Sequence, residues 1–250
     1  MVIVVRDWIV SPYAVCMLTA LAAGFVTAYI LLRKEHIEIR IAGLSVFMNL
    51  VFVLFMGKVY TLIISANQDN NLWNVSFSSV GGAIGMLAGI EIFNWIYKER
   101  QEVFRQIYVL IIPMLYSVSK VGCFLVGCCY GIPYQGVGHI CYVVDVTNPD
   151  SDISKVLLQN VPKGNVIPVQ LIESIVFAVI FLFFMYRYLK NKRTYFIEKI
   201  AILSSLCKFL LEYIRADNIG SIINANQIVC LVIIAFMIIR ILNIKGKKNG

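Results

Sequence analysis

Seven apolar segments of about 20 residues each limit most strongly what this chain can fold into. In a helix, about 20 consecutive apolar residues span the roughly 30 Å hydrocarbon core of a bilayer. A bilayer offers no water to the backbone, so each segment is predicted to be an α-helix that satisfies its own hydrogen bonds. The segments cover residues 13–32, 41–65, 80–97, 107–129, 168–189, 196–214 and 226–242.

The composition also places the chain in a membrane. Hydrophobic residues make up 60% of the chain and charged residues only 14%, which is too little charge for the surface of a water-soluble domain. The net charge is +8, but the basic residues form short runs between the apolar segments, so no nucleic-acid partner is predicted. We predict an all-α, polytopic membrane protein with seven transmembrane helices in one integral membrane domain, residues 1–250.

The distribution of Lys and Arg predicts the orientation. Basic residues concentrate in the loops 33–40, 98–105 and 187–199 and in the tail 240–248, whereas the remaining loops contain few. Loops rich in Lys and Arg stay on the cytoplasmic side of a membrane. The N-terminus is therefore predicted to face out and the C-terminus in.

Three lysines, Lys58, Lys120 and Lys208, lie inside predicted spans, where a charge usually faces a partner or a wet cavity. In the predicted orientation all three lie toward the outer leaflet, at the same depth as Glu173 and Arg215. We therefore predict a polar cavity there with an excess of positive charge. A cationic cavity in a leaflet favours an anionic phospholipid head group as its ligand.

The segment GCFLVGCCYGIPY, residues 122–134, contains three cysteines near the end of the fourth span. Their spacing differs from the paired cysteines of zinc sites, so neither a metal nor a cofactor is predicted. A redox role in an oxidising compartment stays open, as does close packing of cysteines as small core residues beside glycines. Residues 131–167, which follow, are predicted to be an irregular outer-face segment that caps the site.

Five motifs resemble those of the prolipoprotein diacylglyceryl transferase family, in the order in which they occur in that family. One of them, SKVGCFLVGCCYG, resembles a family motif that has a variant with the same cysteines. The others are SVGGAIGMLAG at 79–89, IPVQLIES at 167–174, CKFLLEYIRAD at 207–217 and NANQI at 224–228. The resemblance implies transfer of the diacylglyceryl group of phosphatidylglycerol to the cysteine thiol of a prelipoprotein, leaving glycerol 1-phosphate. It also implies a location in a bacterial plasma (inner) membrane.

The same resemblance implies roles for individual residues. Lys120, Lys208 and Arg215 would stabilise the phosphate. Glu212 would orient Arg215, and Glu173 would orient Lys208 or act as a base. The residues implied in catalysis are Lys120, Lys208, Glu212, Arg215 and Cys128. Those implied in substrate binding are Gly81, Gly82, Cys123, Gly127, Gln170, Glu173 and Gln227. Gly81 and Gly82 fit equally well with close contact between helices.

Several positions depart from the family pattern. Lys120 and Lys208 stand where the family has arginine, and a lysine offers a point charge in place of a planar fork. The motif asparagine is Cys123 and the motif glutamate is Cys128. Further family positions are occupied by Val80, Ile132 and Ile167. Glu212, Arg215, Gln170, Glu173 and Gln227 are retained.

These departures keep two alternatives open beside a transferase in lipoprotein biosynthesis. One is a non-catalytic protein that binds or translocates phospholipid. The other is a membrane thiol oxidoreductase that uses Cys123, Cys128 and Cys129. The expected partners are phosphatidylglycerol or a similar anionic phospholipid, the signal-peptide region of a prelipoprotein, and the membrane itself.

Overall fold

The computed structural model describes residues 1–6, 11–64, 77–145, 161–220 and 222–249. Seven α-helices and one short 3-10 helix, Ala216–Asn218, occur within these ranges. The α-helices are α1 (Pro12–Lys34), α2 (Ile39–Ile64), α3 (Ser79–Ile96), α4 (Gln101–Val126), α5 (Val169–Leu189), α6 (Phe196–Glu212) and α7 (Ala225–Asn249). Each contains most of one predicted span, and the predicted end of the second span at Ser65 lies outside the described residues.

Six of the described helices are long and apolar enough to cross a bilayer, which confirms a polytopic membrane protein. The remaining helix, α6, has 17 residues, at the lower limit of about 17–25 residues for a transmembrane helix. Seven spans, and the direction of the two termini, therefore stay predictions. So does the expectation of a single integral membrane domain.

A small three-stranded sheet accompanies the helices of the predicted all-α membrane fold. Strand β1 (Val2–Arg6) pairs in parallel with β2 (Ile140–Asp145), and β2 pairs antiparallel with β3 (Asn165–Val166). β1 and β2 are rich in valine and isoleucine, whose β-branched side chains suit a pleated surface. Two strands thus lie in the stretch 131–167 that was predicted to be irregular, of which residues 146–160 lie outside the described residues.

The sheet packs against the end of α4. Val5, Ile140 and Tyr142 from the sheet form one buried cluster with Phe124 of α4. The Tyr142 hydroxyl donates a hydrogen bond to the Phe124 carbonyl oxygen at 3.0 Å. Burial raises the pKa of Tyr142, so this hydroxyl stays protonated and available as a donor. The sheet therefore fixes the turn at the end of α4, where the cysteine motif lies.

The chain divides into two compact units. Unit 1 comprises residues 1–20 and 115–250, and unit 2 comprises residues 21–114. In unit 2, α2 and α3 approach closely because glycines of α3 face the α2 backbone. A Cβ atom on Gly85 would lie 2.3 Å from the Phe52 carbonyl oxygen, and one on Gly81 would lie 2.5 Å from the Tyr60 Cβ. Small residues allow such contacts between helices in a bilayer.

Replacing Gly85 with alanine is expected to destabilise unit 2 by about 1–3 kcal/mol, the usual range for overpacking. The new methyl group would meet backbone, which cannot rotate away. The matched control is Gly43→Ala in α2, where a Cβ would meet nothing within 4 Å and alanine should be neutral or favourable for the helix. Unfolding in mixed micelles measures the free energy of unfolding of the two variants. Equal stabilities would contradict the interpretation that α2 and α3 are in close contact.

Candidate functional site

Glu173 joins two lysines from different helices at the centre of a buried ionic network in unit 1. Its Oε2 lies 2.7 Å from the Lys120 Nζ of α4, and its Oε1 lies 2.8 Å from the Lys208 Nζ of α6. Glu173 is 0% exposed and Lys120 is 3% exposed. Three helices are thus connected through one carboxylate. Such a buried pair needs good geometry and additional hydrogen bonds to offset its desolvation.

Tyr116 supplies one of these additional contacts. Its hydroxyl donates a hydrogen bond to Glu173 Oε1 at 2.8 Å. Its ring also lies beneath both ammonium groups, with centroid distances of 5.1 Å to the Lys120 Nζ and 5.4 Å to the Lys208 Nζ. A cation over an aromatic face is stabilised by the ring quadrupole. The sequence analysis missed Tyr116, although it precedes Lys120 by four residues and so shares its helical face.

Glu212, at the end of α6, forms a second acidic centre. Its Oε1 pairs with the Lys208 Nζ and lies 3.5 Å from the Arg215 Nη1. The Asn218 side-chain amide donates to Glu212 Oε2 at 2.6 Å, and that of Asn224 donates at 3.1 Å. With two cations and several amide donors around it, Glu212 remains a carboxylate, and it connects α6 to the start of α7.

Arg215 is fixed by its backbone as well as by its side chain. Gly131 and Arg215 form an antiparallel bridge, and the neighbouring Ala216 N donates to the Tyr130 carbonyl oxygen at 3.0 Å. The Arg215 Nη2 also lies 2.6 Å from Asp217 Oδ2. Its Nε is buried and has no acceptor among the described residues. A buried guanidinium donor without an acceptor is a place where an anionic oxygen can bind.

The residues predicted to line a cationic cavity form a buried ionic network in the described part of unit 1, and its positive and negative charges are nearly equal. Three buried cations, Lys120, Lys208 and Arg215, meet the buried carboxylates Glu173 and Glu212. Asp217, whose side chain is 55% exposed, adds a further negative charge. The excess of positive charge is therefore smaller than the sequence suggested, because Asp217 also pairs with Arg215.

Two predicted binding residues make structural contacts. The Gln170 Nε2 donates to the Cys128 carbonyl oxygen at 2.8 Å, which holds the cysteine turn against α5. Gln227 and Asn224 form a capping box at the start of α7, because each accepts a hydrogen bond from the backbone N–H of the other. The Gln227 Nε2 also donates to the Phe209 carbonyl oxygen at 3.3 Å. Their roles in substrate binding stay predictions.

Removing the cap with Asn224→Ala is expected to reduce stability by about 1–2 kcal/mol, the upper part of the range for N-caps, because Asn224 also donates to Glu212. The matched control is Asn226→Ala, which loses only a 3.4 Å contact with Glu212 and no cap. Thermal unfolding in detergent compares the two variants. A larger loss in the Asn226 variant would contradict the capping assignment.

The three cysteines of the motif meet at the end of α4. The Cys128 N donates to the Cys123 carbonyl oxygen at 3.1 Å and the Gly127 N donates to that of Phe124 at 3.4 Å. This pair of bonds is a Schellman ending, in which glycine takes the left-handed conformation; Gly127 has φ of 73°. The turn brings Cys128 back over Cys123, and all three sulfurs lie within 4.8 Å of one another.

A model of the prolipoprotein diacylglyceryl transferase family matches residues 1–243 of the chain. The chain belongs to this family. A comparison with curated proteins gave no match. Membership of the prolipoprotein diacylglyceryl transferase family agrees with the motif resemblance, and the matched range contains the whole ionic network and all three motif cysteines.

Residues that differ from the pattern of the prolipoprotein diacylglyceryl transferases still take part in the site. Lys120 and Lys208, at arginine positions of the family motifs, both reach Glu173. Cys123 and Cys128, at the asparagine and glutamate positions of the motif, lie in the cysteine turn. The positive charges of the family pattern are thus retained, with lysine in place of arginine at two positions. The cysteine turn is the main chemical difference.

Gly81 and Gly82 belong to unit 2, as does Lys58. Both glycines are buried in α3. A Cβ on Gly82 would lie 3.1 Å from the Phe77 ring, so the glycines are accounted for by packing within that unit. Their binding of a lipid head group stays a prediction.

In unit 1, a surface cleft lined by Pro133, Tyr134, Gln135, Lys163, Gly164 and Asn165 includes no member of the ionic network.

Proposed function

We propose that the protein transfers the diacylglyceryl group of phosphatidylglycerol to the cysteine thiol of a prelipoprotein in a bacterial plasma membrane. Family membership over residues 1–243 supports a transferase of lipoprotein biosynthesis. The observation that carries the proposal is the buried Arg215 Nε, which has no described acceptor, beside a network that contains two buried lysines. A phosphodiester is an anion that can use such donors.

The reaction forms one bond and breaks one. The thiol releases its proton to water, its sulfur attacks the glyceryl carbon, and the carbon–oxygen bond to phosphate breaks. Glycerol 1-phosphate then leaves with the electron pair. Negative charge on the phosphate increases as this bond breaks, so cations already fixed in place stabilise the transition state more than the ground state.

The cations and the carboxylates of the network have different roles in this reaction. Arg215 offers a planar guanidinium held by backbone pairing, and Lys120 and Lys208 offer ammonium groups with three donors each. Glu173 and Glu212 hold these cations in position before the substrate arrives, which avoids reorganisation at the moment of reaction. Because Glu173 carries two cations, its part is to position them rather than to accept the proton of the thiol.

The test is a transfer assay with purified protein, phosphatidylglycerol and a peptide that carries the lipobox cysteine. We expect the peptide to gain the mass of one diacylglyceryl group, and a peptide with serine in place of cysteine to gain nothing. If no shift appears at any protein concentration, transfer is excluded. Binding of phosphatidylglycerol without transfer would then favour a lipid-binding protein.

A further inference from the structure

The sulfurs of Cys123, Cys128 and Cys129 form a compact group. Their Sγ atoms lie within 4.8 Å of one another, and all three cysteines are free thiols. Three thiolates bound to one Zn²⁺ at about 2.3 Å with tetrahedral angles are about 3.8 Å apart. Small side-chain rotations therefore suffice to bring them to one ion. We propose that Cys123, Cys128 and Cys129 bind a zinc ion and leave its fourth position open.

The backbone organises this group in advance. The Schellman bonds place Cys128 against Cys123, and Cys129 has φ of 56°, in the left-handed region. For a residue with a Cβ this conformation is unfavourable by roughly 1–2 kcal/mol, and such strain concentrates at functional sites. The Gln170 amide holds the Cys128 carbonyl from α5. The turn thus directs two consecutive cysteines toward a third.

Disulfide formation and simple packing account for this arrangement less well. A disulfide joins two sulfurs and would leave the third unused, and two of these cysteines are adjacent in sequence. Packing alone needs no convergence of sulfurs: Cys16, Cys207 and Cys230 fill space in helices without joining any such group among the described residues. Three thiols at one point match the ligand number of a zinc site that keeps an open position.

Nearby cations suit the charge of the bound ion. Three thiolates and Zn²⁺ carry a net charge of −1. Lys120 precedes Cys123 by three residues and shares its helical face, and Arg215 is bridged to Gly131, two residues after Cys129. Buried charges require such compensation.

Among the described residues, no histidine, further cysteine or carboxylate joins the three sulfurs. The fourth position of the ion is therefore available to a ligand from outside the chain. Resting on the proposed function, we assign this position to the acceptor thiol. On coordination the thiol releases its proton to water, the bound thiolate attacks the glyceryl carbon, and the carbon–oxygen bond to phosphate breaks as the carbon–sulfur bond forms. The electron pair leaves with glycerol 1-phosphate.

The first measurement is zinc binding by the whole protein, purified with a reductant, in competition with a chromophoric chelator. We expect one tightly bound zinc per chain. In Cys123→Ser, Cys128→Ser and Cys129→Ser the affinity should fall by more than the roughly 10- to 100-fold that follows loss of a group merely hydrogen-bonded to a ligand. The matched control is Cys141→Ser on β2, outside the group, which should bind zinc as the unchanged protein does.

The second measurement uses Co²⁺ in place of zinc, because its thiolate charge-transfer absorption reports the ligands. A lipobox peptide should change this spectrum, and the same peptide with serine should not. Zinc affinity that is equal in the motif variants and Cys141→Ser overturns the site, as does a disulfide among the three cysteines in protein purified without reductant. An unchanged cobalt spectrum overturns the open position.

The transfer assay on the same preparations separates this proposal from the proposed function. Transfer by protein that contains no zinc overturns the role of the ion in activating the thiol and leaves the transferase. Zinc and peptide binding without any diacylglyceryl transfer removes the transferase and leaves a metal site that binds thiols.

Discussion

Replacing Glu173 with glutamine is expected to destabilise the protein by about 3–5 kcal/mol, the range for removing one partner of a buried ion pair. Glu173 is fully buried and is the shared acceptor of Lys120, Lys208 and the Tyr116 hydroxyl. A neutral amide would leave two buried ammonium groups poorly compensated. Unfolding in mixed micelles, followed by helical circular dichroism, measures the loss.

The matched control is Asp145→Asn on β2. Asp145 lies 3.0 Å from Arg6, but both side chains are more than half exposed, and exposed ion pairs contribute only about 0–1 kcal/mol. In the double variant Glu173→Gln, Lys120→Met, one unpaired charge disappears, so its destabilisation should be smaller than the sum of the two single effects. A Glu173→Gln protein as stable as the Asp145→Asn protein would contradict the network.

The helices could be predicted from the sequence because their signal is local. A run of about 20 apolar residues identifies a span without knowledge of its neighbours, and six of the described helices qualify. The sheet could not be predicted in this way. Val2–Arg6 is too short to distinguish a strand from part of a helix by its pattern, and its partner Ile140–Asp145 lies far along the chain. Pairing over such a separation is set by tertiary structure.

Part of the cysteine group could have been predicted. Gly127 followed by Cys128 fits a Schellman ending, which places Cys128 near Cys123 by geometry alone. The left-handed Cys129 could not be predicted, because a residue with a Cβ seldom adopts φ of 56°. The third sulfur therefore joins the group through a backbone conformation that the residue type does not indicate.

The arrangement of the charged residues could also be predicted only in part. Their depths along the helices follow from the sequence, and this led to Lys120, Lys208, Glu173, Glu212 and Arg215 as one set. Which atoms pair depends on how each helix is rotated about its axis, and packing determines that rotation. For this reason the sequence indicated a cationic cavity, whereas the structure brings each cation against a carboxylate.

Replacing Arg215 with alanine is expected to lower kcat for diacylglyceryl transfer by about 10²- to 10³-fold, the usual effect of removing a donor that stabilises transition-state charge. Arg215→Lys should retain part of the activity, since a point charge remains but the fork is lost. The control is Arg6→Ala on β1, which breaks an exposed pair with Asp145 and should leave turnover unchanged. If Arg215 acts on the leaving phosphate, kcat falls more than KM rises. A variant that folds, binds phosphatidylglycerol and turns over normally would remove Arg215 from the mechanism.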